Sequence, residues 1–186
     1  SISEKQEKYS SENFYFLEAD LTDIVFDKKL NIIKNIVKGE NIYFINNASI
    51  IEPILKIEDL DETSIDKTIS VNIKSTLLIT KYLLKNFNKN TLTFVNISSG
   101  AANRAIRNWS LYCSSKAYIK MFFSVAESEY KQHRFFNIDP GVMDTNMQRS
   151  IRKSDFPDVL NFQNLKKEKT LKSPKDVAFE IINNIK

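Results

Sequence analysis

Residues 112–116, Tyr-Cys-Ser-Ser-Lys, place a phenol and an ammonium group four positions apart in the chain. Residues at i and i+4 share one face of a helix, so Lys116 can lie beside Tyr112 and favour the ionised form of the phenol. A free phenol titrates near pH ~10, and a neighbouring cation brings that value toward neutrality. Such a phenol can give a proton to a carbonyl oxygen or take one from an alcohol. The segment therefore predicts carbonyl or alcohol redox chemistry.

A serine follows a predicted buried strand upstream of this segment. Residues 91–97 form the apolar run Thr-Leu-Thr-Phe-Val-Asn-Ile, and Ser99 comes shortly after it, before Gly100. Ligands bind at the carboxyl ends of strands in open α/β sheets. We therefore expect the Ser99 hydroxyl to hold a substrate oxygen against Tyr112. A nucleophilic serine would need a base, and the single histidine, His133, precedes a later strand and is not expected to be catalytic.

The rest of the chain alternates predicted strands and helices. Strands are expected at 13–17, 42–45, 91–97 and 135–138, and helices at 30–37, 63–87, 111–132 and after Pro174, where Ser173 is the predicted cap. Residues 144–171 are expected to be polar and irregular. The alternation predicts an α/β fold with a parallel sheet.

Several short motifs occur in an order that resembles the short-chain dehydrogenase/reductase family. They are Asn46-Asn47-Ala48, Asn72 in the long helix, Ser99, Tyr112 with Lys116, and Pro140-Gly141 with Thr145. The resemblance implies one NAD(P)-binding domain over residues 1–186, with a Rossmann-like doubly wound parallel sheet. Residues 108–117 and 140–148, followed by Ile151 and Arg152, are similar to the sepiapterin reductase and benzil reductase subgroup. That subgroup uses NADPH to reduce one carbonyl of a vicinal dicarbonyl or of a pteridine side chain.

The resemblance also implies the residues of the site. The expected catalytic residues are Asn72, Ser99, Tyr112 and Lys116, with Asn72 fixing a water that links Lys116 to solvent. The expected cofactor contacts are Asp20, Leu21, Asn47, Tyr112, Lys116, Val142 and Thr145. The expected substrate contacts are Ser99, Trp109, Tyr112, Gly141, Met143 and Met147. No metal is expected. Two alternatives stay open: Asp20 can equally cap a turn, and the tryptophan and methionines can simply fill a hydrophobic wall.

The sequence departs from the family in several places. Ser49 stands where the family has glycine, and its side chain would crowd a close backbone approach to the cofactor. The first strand-helix-strand unit, its glycine-rich pyrophosphate turn and the last strand have no counterpart. We therefore expect an incomplete record of a longer protein. The choice of nucleotide is normally made at a strand that is absent, so NADP(H) rests on the subgroup resemblance and NAD(H) remains open.

Composition argues against several other classes of protein. The chain has 186 residues, 42% hydrophobic and 27% charged, with no apolar run long enough to span a bilayer. The net charge of +4 comes from scattered lysines, so no nucleic-acid partner is expected. The single cysteine, Cys113, excludes an internal disulfide and is typical of a reducing compartment such as the cytoplasm.

We therefore expect a cytoplasmic NADP(H)-dependent carbonyl reductase that acts on a small molecule. Residues 143–172 are the expected substrate lid, and the helices around Asn72 and after Tyr112 are expected to form the contact of a homodimer or homotetramer. One alternative is a catalytically silent nucleotide-sensing or scaffold protein, which the intact Ser99, Tyr112 and Lys116 argue against. Another is a sugar-nucleotide epimerase, which the short tail after Pro140 disfavours.

Overall fold

Three parallel strands form a sheet in the residues that the structure describes. The computed structural model describes residues 15, 17–23, 26–37 and 39–185. In this part of the chain the sheet has the order β1-β2-β3, with β1 at Asn41–Asn46, β2 at Thr91–Ile97 and β3 at Arg134–Ile138. The predicted α/β class, the parallel sheet and these three strands are confirmed. The predicted strand at 13–17 falls on residues that lie mainly outside the described ones.

Seven α-helices connect and flank these strands in the described residues. They are α1 Phe26–Ile36, α2 Glu62–Ile69, α3 Ser75–Asn86, α4 Ser110–Glu129, α5 Asn146–Lys153, α6 Val159–Lys167 and α7 Pro174–Ile185. Short 3₁₀ turns cover Ile57–Asp59 and Gly100–Ala102. In α7 the Asp176 N–H donates to Ser173 Oγ at 3.5 Å, in agreement with the predicted cap. None of the helices in these ranges combines the length and the apolar character needed to cross a bilayer.

Two expectations about helices were wrong in detail. The predicted single helix at 63–87 is α2 and α3 joined by a π-helical segment, Ser70–Lys74. The segment predicted to be irregular, 144–171, contains the helices α5 and α6. In α5 the apolar residues Met147 and Ile151 lie four positions apart, which is helical spacing, but the helix has only eight residues. The other buried apolar residues of the segment, Phe156 and Phe162, are separated by charged and polar residues, so the sequence analysis missed both helices.

A cluster of aromatic and aliphatic side chains packs between the sheet and the helices α3 and α4. Phe94 of β2 is fully buried and stacks on Phe135 of β3, with the ring centroids 4.7 Å apart. The ring of Phe123 from α4 meets Phe94 edge-on, with a centroid distance of 6.3 Å. Residues 92–96 of β2 are all buried because β2 is the central strand, which explains why its sequence lacks the alternation of a one-sided strand.

A chain of amide hydrogen bonds, here called the asparagine ladder, crosses all three strands. It consists of Asn46, Asn96 and Asn137, which the strand register places side by side. Asn46 Nδ2 donates to Asn96 Oδ1 at 3.1 Å, and Asn96 Nδ2 donates to Asn137 Oδ1 at 2.9 Å. At the ends, Thr76 Oγ1 donates to Asn46 Oδ1, and Asn137 Nδ2 donates to the Lys120 carbonyl oxygen. The ladder therefore links α3, the sheet and α4.

Candidate active site

A cavity of about 380 Å³ opens at the carboxyl ends of the strands. The predicted site residues that line it are Asn47, Ser99, Trp109, Tyr112, Lys116, Gly141, Val142, Met143, Thr145 and Met147. The fold thus brings together residues from the loop after β1, the end of β2, helix α4 and the segment after β3. Three predicted residues, Asp20, Leu21 and Asn72, are not part of its lining.

Tyr112 lies in the first turn of α4 and is only 7% exposed. Burial raises the pKa of its phenol to about 12, hydrogen bonding with Ser99 opposes this, and the charge of Asp139 adds to the rise. The sequence predicted the opposite direction, a pKa lowered by Lys116. The prediction of direction was wrong because burial removes the hydration of the ionised phenol, and Lys116 is not among the groups that shift this pKa. A phenol with this pKa stays protonated at neutral pH.

Lys116 is also buried, and its ammonium group is held at the end of β2. Its Nζ donates to the Ile97 carbonyl oxygen at 2.9 Å and lies 5.6 Å from the centroid of the Tyr112 ring. Burial lowers the pKa of Lys116 to about 8. The predicted pairing of phenol and ammonium on one helix face is therefore present, with the ammonium still mainly charged at pH 7.

Ser99 caps the 3₁₀ turn Gly100–Ala102. Its Oγ accepts a hydrogen bond from the Ala101 N–H at 3.2 Å, and this contact uses the hydroxyl only as an acceptor. The same hydroxyl also hydrogen-bonds with the Tyr112 phenol. The positioning role that the sequence predicts for Ser99 requires this hydroxyl to bond a substrate oxygen beside the phenol.

Asn72 lies in the π-helical segment and is buried against the loop after β1. Its Oδ1 accepts from the Ile50 N–H at 2.8 Å, and its Nδ2 donates to the Ile50 carbonyl at 2.8 Å and to Ser115 Oγ at 3.1 Å. The side chain therefore fixes the loop after β1 against α4. These bonds use both Nδ2 hydrogens and one lone pair of Oδ1, so a water can contact this side chain only at the second lone pair of Oδ1.

Asp20 forms a local turn in the structure. Its Oδ1 accepts from the Thr22 N–H at 2.8 Å and from the Thr22 hydroxyl at 2.7 Å. This geometry matches the turn-cap alternative that the sequence left open. Leu21 belongs to the same turn.

An aromatic cluster forms the side of the cavity next to α5 and α6. Trp109 stacks on Phe162 with the centroids 5.1 Å apart and meets Tyr112 edge-on at 5.8 Å. Asn108 precedes it with φ of 66°, a left-handed conformation that asparagine tolerates better than most residues. Ion pairs hold the segment 143–172 in place, with Arg107 donating to Asp158 at 2.8 Å. Lys166 donates to Asp144 at 2.6 Å.

Several residues that line the cavity were missed by the sequence analysis. They include Ser49, Arg104, Ile106, Asp139, Gln148 and Phe162. Three side chains of the lining, here called the cavity wall, have a buried polar atom without a hydrogen-bond partner among the described residues: Ser49 Oγ, Trp109 Nε1 and Gln148 Oε1. For Gln148 a sequence signal existed, because Thr145-x-x-Gln148 is a capping-box pattern at the start of a helix. The Gln148 N–H donates to Thr145 Oγ1, but the second bond of the box, from the Thr145 N–H to Gln148 Oε1, is not made.

Comparison with known proteins connects this site to a family of enzymes. The family model described as short chain dehydrogenase matches residues 2–155. The chain is 31% identical over 195 residues to benzil reductase ((S)-benzoin forming) of Bacillus cereus, covering 98% of this chain and 78% of that protein. It is 31% identical over 151 residues to sepiapterin reductase of Bos taurus, covering 77% of this chain and 57% of that protein.

Solved structures show the same fold. The KRED1-Pglu enzyme superimposes with a TM-score of 0.83 at 28% identity, covering 94% of this chain and 75% of that chain. An ElxO variant with NADPH bound gives a TM-score of 0.68 at 26% identity, covering 84% of this chain and 66% of that chain. The predicted resemblance and the Rossmann-like fold are confirmed by these similarities.

Proposed function

Because the chain belongs to the short-chain dehydrogenase family, we propose that it is an NADP(H)-dependent carbonyl reductase. The observation that carries the proposal is the grouping of Ser99, Tyr112 and Lys116 around one cavity at the carboxyl edge of the sheet. Similarity to benzil reductase and sepiapterin reductase supports a vicinal dicarbonyl or a pteridine side-chain ketone as substrate. The NADPH-bound neighbour supports NADP(H), and NAD(H) is the alternative nucleotide.

Ser99, Tyr112 and Lys116 have different roles in the reaction at the carbonyl oxygen of the substrate. The hydroxyl of Ser99 holds the oxygen in place, and the protonated phenol of Tyr112 donates a proton to it. The Lys116 ammonium beside the phenol stabilises the phenolate that remains. Reduced nicotinamide, when bound, supplies the hydride to the carbonyl carbon. Asn72 positions the loop after β1 that borders the cavity.

The lining fits the nicotinamide and ribose half of such a cofactor. Asn47 is exposed in the cavity and has no partner among the described residues, so its amide is free to bond a ribose hydroxyl. Tyr112 and Lys116 would hold the same ribose, and Val142 and Thr145 would hold the carboxamide. In this proposal Asp20 and Leu21 contact the adenine end, outside the cavity.

Residues 143–172 form the lid of the proposed site. The two ends of the segment are hydrogen-bonded to each other. The Lys172 N–H donates to the Val142 carbonyl at 3.0 Å, and the Asp144 N–H donates to the Lys172 carbonyl at 3.1 Å. Between these ends, Met147 and Phe162 line the cavity from α5 and α6. Substrate contact through Met143, Met147 and Gly141 follows from the same arrangement.

Self-association and a cytoplasmic location complete the proposal. Exposed apolar side chains on α2 and α4, Ile69, Tyr118, Met121 and Val125, support a homodimer or homotetramer through these helices. Sedimentation of the full-length protein tests this, and a monomer at micromolar concentration would contradict it. The cytoplasmic location rests on the single free cysteine, Cys113.

Removal of the phenolic oxygen is the direct test of the proposed chemistry. Tyr112→Phe in the full-length protein should lower turnover of a diketone about a hundredfold or more, because only the proton donor is lost. Its affinity for NADPH, measured by titration calorimetry, should stay within about threefold. Tyr130→Phe is the matched control, since Tyr130 follows the end of the same helix and does not line the cavity.

Two results would contradict the proposal in different ways. Near-normal turnover by Tyr112→Phe would remove the phenol from the proton transfer. A wild-type protein that binds NADPH but reduces no diketone, pterin or simple ketone would favour the catalytically silent alternative.

A further inference from the structure

Three charged side chains line the cavity, and they differ in their protein partners. The Lys116 ammonium donates to the Ile97 carbonyl, and Asp139 Oδ1 accepts from the Gly141 N–H at 3.0 Å. Arg104 has no hydrogen-bond or ion-pair partner in the part of the chain that the structure describes. Its guanidinium is therefore the cavity-lining charge that remains available to a ligand.

Two other arginines, one near Arg104 and one on α5, form ion pairs with carboxylates. Arg107, three positions further along, donates to Asp158 at 2.8 Å. Arg152 lies 3.6 Å from Asp144. These two arginines therefore have a structural role, because their ion pairs stabilise the lid segment. Arg104 has no carboxylate partner of this kind in the described residues.

Arg104 lines the same cavity as Ser99 and Tyr112 and lies between them in the chain. It follows the 3₁₀ turn that Ser99 caps and precedes the helix that carries Tyr112. Two cations, Arg104 and Lys116, and one carboxylate, Asp139, make the charge of the lining positive near neutral pH. A guanidinium binds a carboxylate in a forked geometry that a neutral ketone cannot match.

We infer that Arg104 is a specificity residue that favours 2-oxo acids, whose carboxylate it binds while the neighbouring ketone faces Ser99 and Tyr112. The inference rests on the proposed reductase function and gives it a charge preference within the class of vicinal dicarbonyls. In the reaction, the ketone carbon gains a hydride from the reduced nicotinamide nucleotide and its oxygen gains the Tyr112 proton. The products are a 2-hydroxy acid and the oxidised nucleotide, Tyr112 regains its proton from solvent, and the carboxylate is unchanged.

A matched pair of substrates tests the charge preference. 2-Oxo-2-phenylacetate carries a carboxylate oxygen where 1-phenylpropane-1,2-dione carries a methyl group. With the full-length protein and NADPH, we expect Arg104→Gln to lower the ratio of the two kcat/KM values, acid over diketone, about tenfold, mainly through the KM of the acid. The kcat/KM for the neutral diketone should change less than about twofold, and Arg104→Lys should give an intermediate ratio.

Arg149→Gln is the control for net charge. Arg149 is exposed on α5 and does not line the cavity, so its loss should leave the ratio within about twofold of wild type. An unchanged ratio in Arg104→Gln, or an equal fall in Arg149→Gln, would overturn the inference. Added salt should reduce the preference of the wild type for the acid, because the guanidinium is exposed.

A binding measurement separates this inference from the proposed function. Trp109, the single tryptophan of the sequence, lines the cavity, so its fluorescence reports binding of 2-oxo-2-phenylacetate without turnover. Weaker binding by Arg104→Gln than by Arg149→Gln supports the inference even if no substrate is reduced, and in that case only the proposed function fails. Equal binding by the two variants contradicts the role of Arg104.

Discussion

The asparagine ladder and the cavity wall are both buried and polar, yet their polar atoms are used in opposite ways. In the ladder each amide of Asn46, Asn96 and Asn137 both donates and accepts a hydrogen bond. In the cavity wall the buried polar atoms of Ser49, Trp109 and Gln148 have no partner among the described residues. An unpaired buried polar atom costs about 1–3 kcal/mol. The ladder thus stabilises the fold, whereas the cavity wall leaves polar atoms available for hydrogen bonds in the cavity that Tyr112 and Lys116 line.

Breaking the ladder should have the largest effect on stability. Asn96→Leu keeps the branched shape of the side chain but leaves Asn46 Nδ2 and Asn137 Oδ1 without a partner in a region where Asn96 is 0% exposed. We expect the free energy of unfolding to fall by about 3 kcal/mol, measured by urea denaturation. Asn164→Leu, on the exposed side of α6, is the control and should change it by less than about 0.5 kcal/mol. Equal effects would show that the ladder does not stabilise the sheet.

A buried cation next to the wall should make stability depend on pH. Burial lowers the pKa of Lys116 from 10.5 to about 8, so between these values the folded protein holds fewer protons than the unfolded chain. The free energy of unfolding should therefore rise with pH across this window. Relative to Lys116→Met, the wild type should gain about 2 kcal/mol between pH 7 and pH 10. Guanidinium denaturation at several pH values measures this, and parallel curves for the two proteins would rule it out.

The three strands and the grouping of Ser99, Tyr112 and Lys116 around one cavity were predictable because their signals are local. Ser99, Tyr112 and Lys116 each lie at an element boundary, and their spacing fixes their mutual positions once the strand and the helix are known. The ladder was not predictable, because it depends on the register Asn46↔Asn96↔Asn137 between strands far apart in sequence. The direction of the Tyr112 pKa was missed for a related reason. Burial is a property of the whole fold, and it is the largest cause of the raised pKa of Tyr112.

The lining from α5 and α6 was the hardest part to predict. Phe162 and Gln148 reach the cavity only because the segment 143–172 folds back and is held by its ion pairs and by the pairing of Met143 with Lys172. Apart from the helical spacing of Met147 and Ile151 and the capping-box pattern Thr145-x-x-Gln148, its sequence is mostly polar and gives few signals of which side chains face inward. This part of the cavity lining therefore lies in the region where sequence patterns are least informative.

The smallest expected effect on stability comes from a substitution in the cavity wall. Thr145 Oγ1 accepts from the Gln148 N–H at 3.3 Å and so caps α5, but Gln148 Oε1 makes no bond in return. Gln148→Met removes an unpaired buried carbonyl and keeps the volume of the side chain. In the absence of ligands, the temperature of unfolding should therefore stay the same or rise by about 1–3 °C.

The matched comparison is Thr145→Val, which removes the cap that is actually made on the same helix. We expect that variant to lose about 1 kcal/mol of stability, seen as a lower unfolding temperature in differential scanning calorimetry. A fall for Gln148→Met as large as that for Thr145→Val would mean that the glutamine serves the helix cap. Opposite responses of the two variants would place Gln148 with the cavity wall, where the side chain is retained for the ligand and not for the stability of α5.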